Sequence, residues 1–399
     1  MATLRPFRAL RPDAADAVAI AAVPYDVVNT DEARALADHN PLSFLRVSRA
    51  ELELPAGTDP YSSAVYDRAS ENFGKLRNTA LVVDEEPSVY FYRLRMGRHE
   101  QTGLAGCWAL DEYDRNVIKK HEKTRRDKED DRTRHMVALH AQTGPVFLTY
   151  RAAEDVDAIA GRVVSGSPLL DFGASDGVRH SLWRVGGRDR DALVAAFARV
   201  PALYIADGHH RAASAARARD EFKGAGESST FLGVAFPHNQ VQILPYNRIV
   251  KHFGSLSPAA FEKAVAERFE VDDGPATPAR RGEIAMYSIG KWRTLTPKSK
   301  PSADAIRSLD VSVLQDQLLQ PILGIADITT DKRVDFVGGA RGTKELERMV
   351  DSGKAAVAFS MYPVSVSDLM AVSDAGAIMP PKSTWFEPKL RDGLLIHLI

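Results

Sequence analysis

Five consecutive residues, Asp207, Gly208, His209, His210 and Arg211, bring a carboxylate, an unhindered backbone position and three nitrogen-rich side chains into a single turn of chain. The imidazoles and the guanidinium can neutralise phosphoryl oxygens as charge redistributes in transfer. The aspartate can orient or deprotonate a hydroxyl, or hold Mg2+. Glycine permits a positive φ and close approach of a ligand. A second set, His121, Glu122, Lys123 and Thr124, offers an imidazole, an acid, an amine and a hydroxyl, a mixture suited to polyphosphate oxygens and Mg2+ together. A third, Lys382, Ser383 and Thr384, follows two prolines that restrict the backbone, as a rigid oxyanion-binding loop requires. Asp26 in "PYD" and Asn247 and Arg248 in "PYNR" follow apolar runs, at strand ends where α/β proteins often bind ligands.

Each set also has a plainer reading. The first could be a capped turn with a buried polar network. The second could be part of a solvated helix, since residues 119–134 hold eight Lys or Arg against five Asp or Glu, with pairs such as Lys123–Asp127 and Arg126–Asp130. The third could be a loop wedged by Trp385 and Phe386. Two adjacent histidines alone do not make a zinc site, because zinc ligands are usually spaced to share one face.

The elements around these residues must position them. "ALYIA", residues 202–206, before Asp207 reads as a buried strand and the alanine-rich run from Ala212 as a helix, so the five-residue set sits at a helix start, where unpaired N–H groups and the dipole favour an anion. Residues 18–23 read as a strand, Thr30 as a helix N-cap and 61–77 as a helix. Residues 80–83, 89–95, 103–110 and "GPVFLTY" read as strands. The turn-rich spacer "VVSGSPLLDFGASDGVRHSLWRVGG" is the best internal boundary, dividing the chain into an N-terminal lobe, 1–165, and a motif-bearing lobe, 166–399, with a cleft between them. "EIAMYSIGKWRTLTP" reads as a hairpin turning at Ile289–Gly290, and helices are expected at 258–268, 310–323, 343–351 and 365–373. Helices and strands alternate without a doubly wound pattern, so the fold class is mixed α/β, α+β in arrangement.

Composition removes several alternatives. Over 399 residues, 44% hydrophobic and 26% charged, the chain is of the ordinary globular class, and its net charge of −1 gives no global case for nucleic acid or an acidic membrane. No apolar run approaches the length of a bilayer span. The lone Cys107 lies in an apolar strand, reads as core, and suits a reducing compartment, so cytoplasm is the expected location. No Gly-Lys pair is followed by Ser or Thr, which removes a Walker A loop.

With these segments in view, the chain resembles the family catalogued as domain of unknown function 1015. The matching pieces are "PYDVV", "NPLSFLRVSR", "HEKT" followed by "RHMVALHAQTGPVF", "ADGHHR", "LPYNR", "LDVSVLQ" and "MPPKSTWFEPKLRDGL", in order from residue 24 to 394. The Asp-Gly-His-His-Arg segment is similar to that of free-serine kinases of ParB/sulfiredoxin-like fold. This resemblance implies a ParB/sulfiredoxin-like core and a small-molecule phosphotransferase, most concretely one making O-phosphoserine from L-serine with ATP, ADP or pyrophosphate and Mg2+. By that resemblance Asp207 to Arg211 bind the transferred phosphate and a separate acid handles the serine hydroxyl; the chemistry of the residues themselves assigns catalysis to Asp207, His209, His210, Arg211 and Glu122. Donor phosphates would fall to His121, Lys123, Thr124, Gly208, Lys382, Ser383 and Thr384, acceptor binding to Asp26, Asn247 and Arg248, and magnesium to Asp207. A phosphohydrolase using the same cradle and a non-catalytic nucleotide-binding regulator are the competing readings. A homodimer is compatible with the sequence.

Overall fold

The computed structural model describes residues 1–399, which fall into two units: Met1–Val241 with Pro388–Ile399, and Gln242–Glu387. The architecture is mixed α/β, as the element pattern predicts. The division is elsewhere than expected. The spacer at 163–187 is no linker: Leu170–Gly173 and Arg179–Val185 form an antiparallel hairpin, and the second strand pairs along its whole length with Val89–Met96. Its turn residues mark a hairpin tip, and residue 165 lies inside the first unit.

The first unit is built on a nine-stranded mixed sheet. Along it lie Ile118–Lys119, the motif strand Leu203–Asp207, Val146–Tyr150, Thr230–Pro237, His99–Ala109, Val89–Met96, Arg179–Val185 and Leu170–Gly173, with Leu4–Arg5 also on His99–Ala109. The motif strand runs parallel to Ile118–Lys119 and antiparallel to Val146–Tyr150. Its first four residues are buried, which is why it reads as a continuous apolar run rather than an alternating one. Trp108, Phe197 and Tyr150 meet edge-on in the core beneath the sheet, and Trp108 also donates from Nε1 to Gly233 O. The motif helix His209–Glu221 packs on Arg126–Leu139, where Ser214 Oγ donates to Glu129 O and Arg217 pairs with Asp130.

Three local expectations for this unit are corrected. Residues 18–23 form no strand: Ala17–Ile20 is one helical turn, and Ala22 makes a bridge to Asp392. The cap of helix Thr30–Ala37 is Asn29 rather than Thr30, because the Asn29 side chain accepts from Glu32 N while the Glu32 carboxylate accepts from Asn29 N, a reciprocal arrangement that needs the acid at the third helical position. The charged block is helical only from Arg126, so His121 to Arg125 precede the helix instead of lying on a solvated face.

The second unit carries a six-stranded antiparallel sheet in the order Phe269–Asp273, Lys291–Pro297, Ile284–Ser288, Val357–Met361, Tyr246–Val250 and Val334–Gly338. The expected hairpin is present, with Ile289 at φ 51° and Gly290 at φ 71°, the paired positive φ values of a tight hairpin turn. Helix Pro258–Arg268 starts where expected, with Ser257 capping Ala260 N, and a π-helical turn over Gln315–Leu319 interrupts the helical run 310–323. A two-stranded ribbon pairs Gln242–Leu244 with Trp385–Glu387.

Candidate active site

The motif strand ends in an irregularity between Ile205 and Asp207, which leaves Ala206 without a partner while Asp207 stands opposite Phe147 as the last paired residue. Gly208 then turns the chain at φ 92°, a left-handed conformation that side chains with a Cβ adopt only under strain, and the helix begins at His209. No side chain caps this helix, so its positive end faces the space beyond the strand. Asp207 instead folds back to accept from Gly208 N at 3.0 Å.

The parallel register explains how His121 and Glu122 reach the motif. Ile118 stands opposite Leu203 and Lys119 opposite Tyr204, so continuing both chains carries residues 121 and 122 to the level of Ala206 and Asp207. The His121 and His209 rings meet edge-on at 4.4 Å between centroids, and His121 N donates to His209 Nε2 at 3.4 Å. Glu122 Oε2 lies 3.8 Å from His209 Nδ1. Arg125 N donates to His210 Nε2 at 3.0 Å. Nε2 is therefore the acceptor in both motif histidines, and a neutral ring carries its proton on Nδ1, which in His209 faces Glu122. Lys123 is exposed, and the Thr124 hydroxyl donates to Glu129.

Asp26 is drawn in from a third direction. Arg211, buried, donates through one terminal nitrogen to Pro145 O at 2.8 Å and through the other to Asp26 Oδ1 at 3.4 Å, with its guanidinium above the Tyr25 ring. Asp26 lies on a turn rather than at a strand end, so the reason given for choosing it does not hold although its place beside the motif does.

Two residues of the site are missing from the sequence reading, and both follow the second unit in the chain. Lys389 Nζ lies 3.1 Å from Asp207 Oδ2. Asp392 is buried beside Arg211, packed so closely on Gly144 that a Cβ there would stand 2.4 Å from Asp392 Oδ1. The available signal was "KLRD", three charges between Pro388 and the apolar terminus "LLIHLI". Arg391 of the same segment pairs with Asp176 and donates to His180 Nε2, anchoring it to the sheet.

Charge at the site follows from burial and these partners. Burial alone would raise the Asp207 carboxyl, but Lys389 and then Arg211 outweigh it and hold it well below the usual carboxylate range. Burial, reinforced by His121, pushes the His209 imidazole well below its ordinary value, and burial brings His121 down to about 4. Both rings are neutral at pH 7. Asp392 is pushed up to about 7 by burial, against the pull of Arg211 and with the help of the nearby Asp26. The surroundings of Asp207 do not fit a magnesium ion, which prefers an octahedral shell of oxygens, because its carboxylate is already met by Lys389 and Arg211. The donor set that gathers is His121, Glu122 and His209, whose ligand atoms all lie within 4.8 Å of one another.

The remaining expected residues belong to the second unit. Arg248 is buried, which lowers its guanidinium to about 10, and it donates to the carbonyls of Tyr246 and Lys382. Asn247 accepts from Met361 N, and Ser383 Oγ donates to Pro380 O at 2.6 Å. Lys382 takes φ 59°, with Nζ 5.5 Å above the Tyr246 ring. These bonds fix the loop locally, and Thr384 leads into its ribbon strand. A cavity of about 350 Å³ in the first unit, between helix Glu154–Val164 and the sheet residues Phe91, Arg93 and Tyr150, includes none of the motif residues.

Fold and site thus define a mixed α/β protein with a charged strand-to-helix turn flanked by a His-Glu pair from the segment that follows the neighbouring strand. The chain belongs to the family described as "Protein of unknown function (DUF1015)", which it matches over residues 4–312. No curated protein matches the sequence. Among solved structures, it is similar to a free serine kinase in complex with AMP (TM-score 0.39, 14% identity, 74% of this chain and 92% of that one). It is also similar to SbnI from Staphylococcus aureus (0.39, 12%, 74% and 87%) and to a conserved hypothetical protein from Pyrococcus furiosus (0.37, 14%, 74% and 95%). No helix is long and apolar enough to cross a membrane.

Proposed function

We propose that this protein is a small-molecule phosphotransferase, most concretely a free L-serine kinase that makes O-phosphoserine from ATP, ADP or pyrophosphate. What supports the reading is the meeting of the half-buried Glu122 carboxylate with the uncapped start of the motif helix at one sheet end. In this scheme the helix start and the imidazole edges receive the phosphoryl group, where N–H dipoles offset its charge without reorganising. The acceptor hydroxyl attacks phosphorus, the bond to the leaving phosphate breaks, and the hydroxyl proton passes to Glu122. Asp207, held ionised by Lys389, fixes the turn through Gly208 N, and Arg211 ties Asp26 to the same place. L-Serine is the first acceptor to try because the Asp-Gly-His-His-Arg segment resembles that of free-serine kinases. Mg2+ would accompany the donor phosphates.

The test is incubation of the protein with L-serine, Mg2+ and each donor separately, with detection of O-phosphoserine. Glu122→Gln should lower kcat by about 100-fold or more while leaving the fold intact. Release of inorganic phosphate without O-phosphoserine would move the assignment to a phosphohydrolase. Nucleotide binding without turnover would move it to a regulator.

A further inference from the structure

We propose that His121, Glu122 and His209 form a binding site for one divalent transition-metal ion of the zinc, cobalt or manganese class. The site goes beyond phosphoryl transfer, since it needs neither donor nor acceptor to fill. Its three ligand atoms lie within 4.8 Å of one another, and Glu122 Oε2 and His209 Nδ1 are 3.8 Å apart. A tetrahedral ion with bonds of about 2.1 Å wants its ligands about 3.4 Å apart, so closing the site takes combined side-chain shifts of at most about 1.4 Å along any one pair. The three residues come from two chain segments that the parallel register fixes side by side, and two of the three are buried. The backbone frame is therefore in place before an ion arrives.

The chemistry selects the class of ion. Two imidazoles and one carboxylate suit zinc, cobalt, manganese or iron, whereas Mg2+ and Ca2+ prefer oxygen ligands throughout. Three protein ligands leave at least one coordination position for water or another oxygen, the arrangement of catalytic rather than structural zinc sites. On binding through Nδ1, His209 moves its proton to Nε2 and gives up the long 3.4 Å bond from His121 N.

The experiment uses the full chain stripped with a chelator and titrated with Co2+, read by its visible ligand-field absorption. One Co2+ per chain is expected, displaced by Zn2+ and left in place by excess Mg2+. Loss of one ligand should exceed the about 10–100-fold cost of losing an outer-shell partner, so His209→Ala and Glu122→Gln should each weaken binding by more than about 100-fold. Glu122→Gln, at a half-exposed position, decides the matter if His209→Ala does not fold. Absence of stoichiometric Co2+ or Zn2+ binding by the folded wild-type chain would overturn the site. Binding unchanged in Glu122→Gln would do the same. Because no nucleotide or serine is present, the result is separate from that of the kinase assay.

Discussion

Replacing Lys389 by methionine should unlock the acid of the motif. The two charges stand 3.1 Å apart, with side-chain exposures of 12% for Lys389 and 31% for Asp207. At an effective dielectric of about 20 their attraction is about 5 kcal/mol, most of it cancelled by taking both groups from water. Fully buried pairs lose about 3–5 kcal/mol when one partner is removed and exposed pairs about 0–1. Lys389→Met, in between, should destabilise the protein by about 1–3 kcal/mol at pH 7. The sign with pH follows from the direction of the shift. Asp207 has a folded pKa depressed below its unfolded value, so its contribution is present above the unfolded pKa near about 3.9 and is lost as pH falls through the folded one. Without Lys389 the folded pKa rises and that contribution shrinks at every pH above it. Urea unfolding of wild type, Lys389→Met, Asp207→Asn and the double variant would measure the coupling, expected at about 1–2 kcal/mol. Strict additivity of the two changes, or an unchanged midpoint for Lys389→Met, would refute the pairing as a determinant of the site.

Gly208→Ala should cost about 1–2 kcal/mol in the same assay, because φ 92° is strained for alanine even though its Cβ would meet only ordinary contacts at 3.5 Å from Arg211 and Val146. Asp392, with its folded carboxyl pushed up to about 7, binds a proton that the unfolded chain has released above about 3.9. Stability should therefore fall by up to about 1.4 kcal/mol per pH unit between those values, and Asp392→Asn should flatten that slope in unfolding series from pH 5 to 8. His135, brought down to about 4 by burial and then by Arg132, works in the opposite direction. The unfolded chain takes up a proton below about 6.5 that the native state refuses, so His135→Gln should make the loss of stability between pH 6 and 4 shallower.

What the sequence disclosed, it disclosed through local chemistry. The Asp207–Arg211 turn was legible because an apolar run, a glycine and an alanine-rich run follow one another within one strand and one helix. The hairpin at Ile289–Gly290 was legible because two strand-like runs flank a glycine within a few residues. The company His121 and Glu122 keep with His209 depends on the pairing of Ile118 with Leu203, a contact between segments with no common local pattern, so periodicity could nominate both and join neither. The unit boundary was misplaced because turn formers mark hairpins as readily as linkers, whereas the chain actually passes between units within the apolar stretch "VQILPYNRIV". Lys389 and Asp392 went unnamed because charges near an apolar terminus look like solubilising decoration until their burial is seen.

The ribbon that pairs Gln242 with Glu387 bears on the order in which the protein is assembled. It holds the two ends of residues 242–387 beside each other, about 5 Å apart as strand partners are. Residues 242–387 are thus inserted like a bead threaded on a closed clasp: once they fold, Pro388 is delivered next to Val241 and the returning segment need not search the volume that a long unfolded loop would sweep. Lys389 follows one residue later. Until the chain has been made that far, Asp207 sits at the end of its strand without the ammonium that faces it in the finished protein, so the motif is among the last parts of its unit to reach its final charge state. A partly synthesised chain would carry the five-residue signature and lack its electrostatics.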